Sequence, residues 1–296
     1  MNMIYEAAII GAGPSGLSAA IQLKRAGVNL VIFEKDRAGG LLRNACLVEN
    51  YPGFPGGIPG NDLADKFLEQ SERLGVIILL NEVIGIDHND GLFAITTLRG
   101  EFQSRILVLA TGTSPKEYNE FTIPDECKLK IFYEIYPVRD VSDKTIAIVG
   151  AGDAAFDYAL SLSRSNYVSI LNRCEKSKCL GLLEDRAKEN PGIEYLVNTD
   201  IKSICKSGET LSLKLCLDTF PVELIVDYLI FAIGREPKIN YLSENILERI
   251  SDLEDLGNLY RIGDMHYGNY RQTAISVGDG ILAAMKICEK MKREKI

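Results

Sequence analysis

The feature that most restricts this chain occurs twice. Near the N-terminus an apolar run over residues 7–10 breaks into Gly11-Ala-Gly13-Pro14-Ser15-Gly16, and an apolar-periodic stretch over 17–23 follows. The run reads as a buried parallel strand and the stretch as a helix, with the glycines making the turn between them. Gly11 makes the tight turn, Gly13 lets the backbone approach a pyrophosphate, and Gly16 lets helix and strand pack closely. At the start of the helix, unpaired N–H groups and the helix dipole favour negative charge. A second strand over 30–33 ends in Glu34, followed by Lys35. An acidic residue about 20 positions beyond such a turn accepts a hydrogen bond from an adenosine ribose.

The second copy begins at Thr145. A strand over 146–149 runs into Gly150-Ala-Gly152-Asp153-Ala154-Ala155, a helix over 156–162 and a second strand over 168–171. Alanine in the third glycine place is allowed. An apolar strand over 105–110 stops at Thr111-Gly112-Thr113-Ser114-Pro115, and another over 228–232 stops at Ile233-Gly234-Arg235-Glu236-Pro237. These matching stops read as the crossings between two domains. The expected class is α/β, with two Rossmann-like, three-layer dinucleotide-binding domains.

Between the two copies lie Gly39-Gly40-Leu41-Leu42 and the stretch Val48-Glu-Asn50-Tyr-Pro-Gly-Phe-Pro-Gly-Gly57. The latter is too rich in Gly and Pro for helix or strand and reads as a shaped, ligand-lining loop. The spacing predicts an amphipathic helix over 63–74 and strands over 76–86 and 92–98 forming an antiparallel excursion. A short strand over 259–262 leads into Gly263-Asp264. A helix over 273–292 closes the chain with basic residues that suit a helix C-terminus. His266 reads as a surface residue.

Length and charge narrow the function. The 296 residues suffice for two domains with sizeable cores, and a net charge of −8 argues against a general nucleic-acid or membrane-surface role. No apolar run approaches a membrane span, and the first strand starts too early for a signal peptide, so a cytoplasmic protein is expected. The seven cysteines are odd in number and contain no Cys-x-x-Cys. A disulfide framework is not expected, and with His88 and His266 as the two histidines, neither is a metal site.

The order GAGPSG, Glu34, GGLL, VENYPGFPGGIPG, ATGTSP, IVGAGDAA, FAIGREP, IGD and YRQTA resembles the low-molecular-weight thioredoxin reductases, flavoproteins of the pyridine nucleotide-disulfide oxidoreductase superfamily. The resemblance spans nearly the whole chain. It implies an FAD domain made of segments 1–114 and 237–296, with an NAD(P)-binding domain, 115–236, inserted between them, and a homodimer. It implies FAD pyrophosphate at Gly11, Gly13, Pro14, Ser15 and Gly16, with the adenosine ribose at Glu34 and Lys35. The flavin and its ribityl chain would be held by Gly39, Gly40, Leu41, Leu42, Cys46, Asn50, Val83, Ala110, Thr111 and Gly112. Gly263, Asp264, Arg271, Gln272 and Thr273 would complete that site. The nicotinamide nucleotide would take Gly150, Gly152, Asp153, Ala154, Ala155, Arg173, Lys178, Ile233 and Gly234.

Two departures matter. The family's redox Cys-x-x-Cys falls, counted back without a gap, on Tyr133-Glu134-Ile135-Tyr136. Tyrosine cannot attack a disulfide, so the ordinary thioredoxin-reductase route is closed. The family's arginine-rich NADP signature is reduced to Asn172-Arg173-Cys174 and Lys178. Arg173 and Lys178 are candidates for a 2′-phosphate, and Arg173, Lys176 and Lys178 also read as a solvated basic loop. Cys46 stands where the resemblance puts a threonine near the flavin, and reads either as a reactive thiol or as packing. The expected activity is FAD-dependent electron transfer between NADPH or NADH and an external acceptor. A one-electron carrier protein such as ferredoxin or flavodoxin is favoured, since thioredoxin-reductase-like ferredoxin–NADP reductases also lack the dithiol. The alternatives are a disulfide or peroxide reductase using other cysteines, and a flavin-binding protein whose pyridine-nucleotide site has lapsed.

Overall fold

A computed structural model describes residues 4–294. The chain divides into two compact units. The first comprises Met1–Arg43, Leu47–Ser114 and Glu236–Ile296, the second Asn44–Cys46 and Pro115–Arg235. The return crossing thus falls one residue before the expected boundary, and a three-residue segment that the sequence assigns to the first unit groups with the second.

In the first unit the parallel layer is Ile78–Leu80, Leu30–Glu34, Ile4–Ile10 and Gly100–Leu109, with Leu259–Arg261 also parallel to the last. Strand alternation sets its two faces. Ala7 and Ile9 face Leu17, Ala20 and Leu23 of helix Pro14–Arg25 and Ala284 and Ile287 of helix Thr273–Glu294, while Ala8 and Ile10, with Leu107 and Leu109 beside them on the neighbouring strand, point to the other face and share a cluster with Phe93 and Ile95. The two helices approach closely at Gly280, where a Cβ would lie 2.2 Å from the Ser15 carbonyl oxygen.

The predicted strand over 76–86 is two strands. Ile78–Leu80 joins the parallel layer, and Val83–Asn89 pairs antiparallel with Leu92–Thr97. The break is at Asn81. Its N–H donates to the Glu34 carbonyl, 2.7 Å, and its Nδ2 donates to Thr97 Oγ1, 2.7 Å. One residue thereby ends the first pairing and anchors the second. Asp90 and Gly91, both at positive φ, close the two-residue hairpin.

The second unit repeats the plan. Its parallel sheet runs Ile193–Leu196, Tyr167–Leu171, Thr145–Val149, Tyr228–Phe231, Ile131–Phe132. Helix Asp153–Leu162 covers one face through Phe156, Ala159 and Leu162. The other face packs on Leu211, Leu213 and Leu215 of an antiparallel sheet, Thr199–Ser207, Thr210–Leu217 and Phe220–Val226. That sheet is not anticipated from the sequence motifs. Among the described residues no helix is long and apolar enough to cross a membrane.

Candidate functional site

The two glycine turns share one steric pattern. Gly11 has φ +103°, and a Cβ there would sit 2.4 Å from the Ala110 carbonyl oxygen. Gly150 has φ +131°, with the Ala232 carbonyl oxygen at 2.4 Å. Both glycines are required by the fold itself. Gly16 is required as well, since a Cβ would meet the Gly11 carbonyl at 2.0 Å, whereas Ala155 is accommodated fully buried in the second unit.

Gly13 and Gly152 differ. Their φ values, −77° and −96°, suit any residue, and a Cβ on either meets nothing within 4 Å. Each therefore leaves an open face at the start of a helix, on the side where that helix presents N–H donors. A cradle that a side chain would fill, beside a helix N-terminus, fits a pyrophosphate. Pro14 occupies the first helical position, where a missing N–H costs nothing.

Around the first turn, Glu34 is already oriented. Its Oε2 accepts from the Ala12 N–H at 2.8 Å and its Oε1 from the Asp36 N–H at 3.1 Å. Lys35 beside it is exposed. The Gly39 N–H donates to the Ala12 carbonyl at 2.7 Å, and Gly40, at φ +55°, lies 3.2 Å from Gly13 Cα as measured to its would-be Cβ. Gly39 and Gly40 are thus brought against the turn, followed by half-buried Leu41 and buried Leu42. Behind them Arg43, missed from the sequence, is 5% exposed. Its Nε donates to the Ala38 carbonyl at 2.5 Å and its Nη2 pairs with Asp65 at 2.8 Å.

Distant expected residues also meet. Asn50 Nδ2 donates to Gln272 Oε1 at 2.7 Å, across 222 positions. The Ala110 N–H donates to the Ile10 carbonyl, Thr111 Oγ1 lies 3.1 Å from the Tyr241 hydroxyl, and Gly112 has φ +62°. Gly263 takes φ +71°, and a Cβ there would lie 2.6 Å from Ser15 Oγ. Its N–H donates to Asp279 Oδ2 at 2.7 Å, while Asp264 Oδ1 accepts from Ser276 Oγ at 3.1 Å. Asp279, which no motif marks, thereby ties the strand end to helix Thr273–Glu294. Arg271 and Thr273 stand where this stretch enters the closing helix, and Val83 packs against the cluster that contains Ala8, Ile10 and Phe93. His266 is exposed.

Cys46 is held by side chains far along the chain. Its segment belongs to the second unit, its N–H donates to Asp157 Oδ2 at 3.1 Å, and Arg164 Nη2 donates to its Sγ at 3.1 Å. Burial pushes its thiol up, away from the thiolate that a nucleophile needs. Burial also raises the Asp157 carboxyl, to about 6, against the opposing effects of the Cys46 N–H and Arg164.

In the second unit Asp153 Oδ1 accepts from the Leu180 N–H at 2.9 Å, and the Lys178 N–H donates to the Ala151 carbonyl at 2.7 Å. The loop carrying Arg173 and Lys178 is thus folded onto the second turn. Gly234, at φ +116°, accepts from the Lys116 N–H at 3.0 Å, with Ile233 packed beside it, and Ala154 is exposed. Arg173 is paired with Glu120, 3.2 Å away. In the segment 133–136, the Tyr133 hydroxyl accepts from the Tyr118 N–H at 3.1 Å, and Glu134 pairs with Arg235 at 3.0 Å. All seven cysteines are free, and no metal-binding cluster occurs among the described residues.

Comparison with known proteins agrees with this geometry. The family described as pyridine nucleotide-disulphide oxidoreductase matches residues 5–280. The chain belongs to that family. Within it, the chain is 30% identical to thioredoxin reductase from Chlamydia trachomatis, over 94% of this chain and 95% of the relative. It is 28% identical to thioredoxin reductase from Listeria innocua, over 98% and 95%. Lactococcus lactis thioredoxin reductase superposes with a TM-score of 0.84 at 25% identity, covering 98% of this chain and 99% of that one. The protein is a flavin oxidoreductase of the thioredoxin reductase type. FAD and a nicotinamide nucleotide are the cofactors of this family, and the residues present fit both: Gly13 with Glu34 in the first unit, Gly152 in the second.

Proposed function

We propose that the protein moves electrons from NAD(P)H through FAD to an external acceptor, without an internal dithiol relay. FAD, when bound, supplies the redox chemistry, and the chain supplies binding and orientation. The first unit would hold the dinucleotide at Gly13, Glu34, Gly39 and Gly40, and the second would hold the nicotinamide nucleotide at Gly152. The observation that carries the reading is the pair Gly13 and Gly152. Each is a glycine that no neighbour inside the protein requires, so each leaves room for an occupant. The open face kept at Gly152 supports an occupied second site over a lapsed one.

The acceptor is proposed to be a one-electron carrier protein of the ferredoxin or flavodoxin kind. Support comes from the sequence: no Cys-x-x-Cys exists to pass electrons to a disulfide. A second reading, reduction of thioredoxin or another disulfide, is favoured by the relatives, which are thioredoxin reductases. An anaerobic assay with NADH and NADPH as donors separates the two. Turnover with ferredoxin or flavodoxin, and none with thioredoxin or a small disulfide reagent, is expected. The reverse pattern would replace the first reading by the second.

A further inference from the structure

Arg173 comes two residues after strand Tyr167–Leu171, the second strand of the second unit. In the first unit Glu34 holds the corresponding strand end. At this place in a dinucleotide fold a carboxylate accepts from the ribose 2′-hydroxyl, whereas an arginine accommodates a 2′-phosphate. The strand itself offers no acid. The structure brings one from 53 positions away: Glu120 Oε1 lies 3.2 Å from Arg173 Nη1.

Glu120 is held in place by its neighbours in sequence. The Tyr118 ring stacks on Phe231 with centroids 4.4 Å apart and planes within 15°, and meets Phe121 edge-on at 5.2 Å. Tyr118 and Phe121 pack on the buried cluster around Leu213 and Phe231. The Tyr118 hydroxyl donates to Glu120 Oε2 at 3.4 Å. Burial, with the charges of Glu120 and Asp200, pushes this phenol up to about 12, so the hydroxyl stays a donor. Asp200, paired with Lys202 at 2.6 Å, adds a second carboxylate to the neighbourhood.

Glu120 and Arg173 are both exposed, at 49% and 73%, so their ion pair contributes little to stability. Its consequence lies in what the pair offers a ligand. A 2′-phosphate must either break the pair or place its charge beside Glu120. A 2′-hydroxyl donates to Glu120 while Arg173 keeps that carboxylate in position. We infer that Glu120, beside Arg173, makes the second nucleotide site select a free ribose 2′-hydroxyl, and hence NADH over NADPH. The inference rests on the assignment of this unit to the nicotinamide nucleotide.

Isothermal titration of the FAD-loaded protein with NAD⁺ and with NADP⁺ tests it without turnover. Wild type is expected to bind NAD⁺ at least tenfold more tightly. Glu120→Gln is expected to shrink that ratio at least tenfold and to tighten NADP⁺, because Arg173, Lys176 and Lys178 then lie on one loop without Glu120 opposing them. Equal or tighter binding of NADP⁺ by wild type overturns the inference, as does an unchanged ratio in the variant. Binding of neither nucleotide overturns instead the assignment of the unit, and the inference with it.

Discussion

Replacing Gly13 by alanine should separate folding from cofactor binding. In the free protein the substitution is nearly neutral. The backbone at Gly13 is ordinary extended, φ −77° and ψ −177°, and the new Cβ meets nothing within 4 Å. Gly13 is the N-cap of helix Pro14–Arg25, where alanine is worse than glycine by up to about 1 kcal/mol. Against that, alanine restricts the unfolded chain, a gain of about 0.4–1 kcal/mol. The two offset each other, and the apo-protein should melt within about 4 °C of wild type. The bound state is affected very differently. The first turn of the helix leaves the Ser15 and Gly16 N–H groups outside the intrahelical ladder. A methyl group at Gly13 keeps a pyrophosphate from reaching them. Losing one charge-assisted bond costs about 1.5–3 kcal/mol, roughly 10- to 150-fold in Kd, and losing both multiplies the effect. Circular dichroism melts of the stripped proteins and fluorescence titration with FAD measure the two quantities. A variant that binds FAD within threefold of wild type would refute the pyrophosphate cradle.

Gly11→Ala and Gly150→Ala should show the opposite behaviour. Each places a Cβ 2.4 Å from a carbonyl oxygen at a φ above +100°, so each should cost about 3 kcal/mol or more and lower the melting temperature before any cofactor is added. Asp157→Asn should change the pH dependence of stability. The folded carboxyl titrates near 6 and the unfolded one near about 3.9, so the native state binds the extra proton and wild-type stability falls as pH rises between these values, by about 2–3 kcal/mol. Thermal melts from pH 4 to 7 should show that fall in wild type and not in the variant, and equal slopes would contradict the burial of Asp157.

What was legible in the sequence follows from local rules. The strand–glycine–helix units announce themselves because three small-residue positions at fixed spacing have separate steric reasons, and Glu34 is marked by its place at a strand end. That Gly11 makes the turn and Gly13 faces a pyrophosphate was legible from the spacing; what excludes a side chain at Gly11 and Gly150 was not, because the carbonyls of Ala110 and Ala232 lie far along the chain. The surroundings of Cys46 were hidden for a similar reason. Its position within the first segment hides that Asp157 and Arg164 bind it. Glu120 carries no motif at all; only the aromatic packing of Tyr118 and Phe121 sets it beside Arg173. Asp279 and Arg43 went unseen because each acts on backbone from a different element. The division of residues 76–86 into two strands depends on Asn81 finding Thr97.

In the proposed function, electrons entering this protein stop at the flavin until an external acceptor removes them. The sequence contains no Cys-x-x-Cys, and all seven cysteines are free. Anaerobic reductive titration of the FAD-loaded protein, with thiols counted before and after, measures this directly. Uptake of two electron equivalents per FAD, complete when the flavin absorbance is lost and with no new thiols, is the predicted result. Four equivalents per FAD, with two thiols appearing, would contradict it.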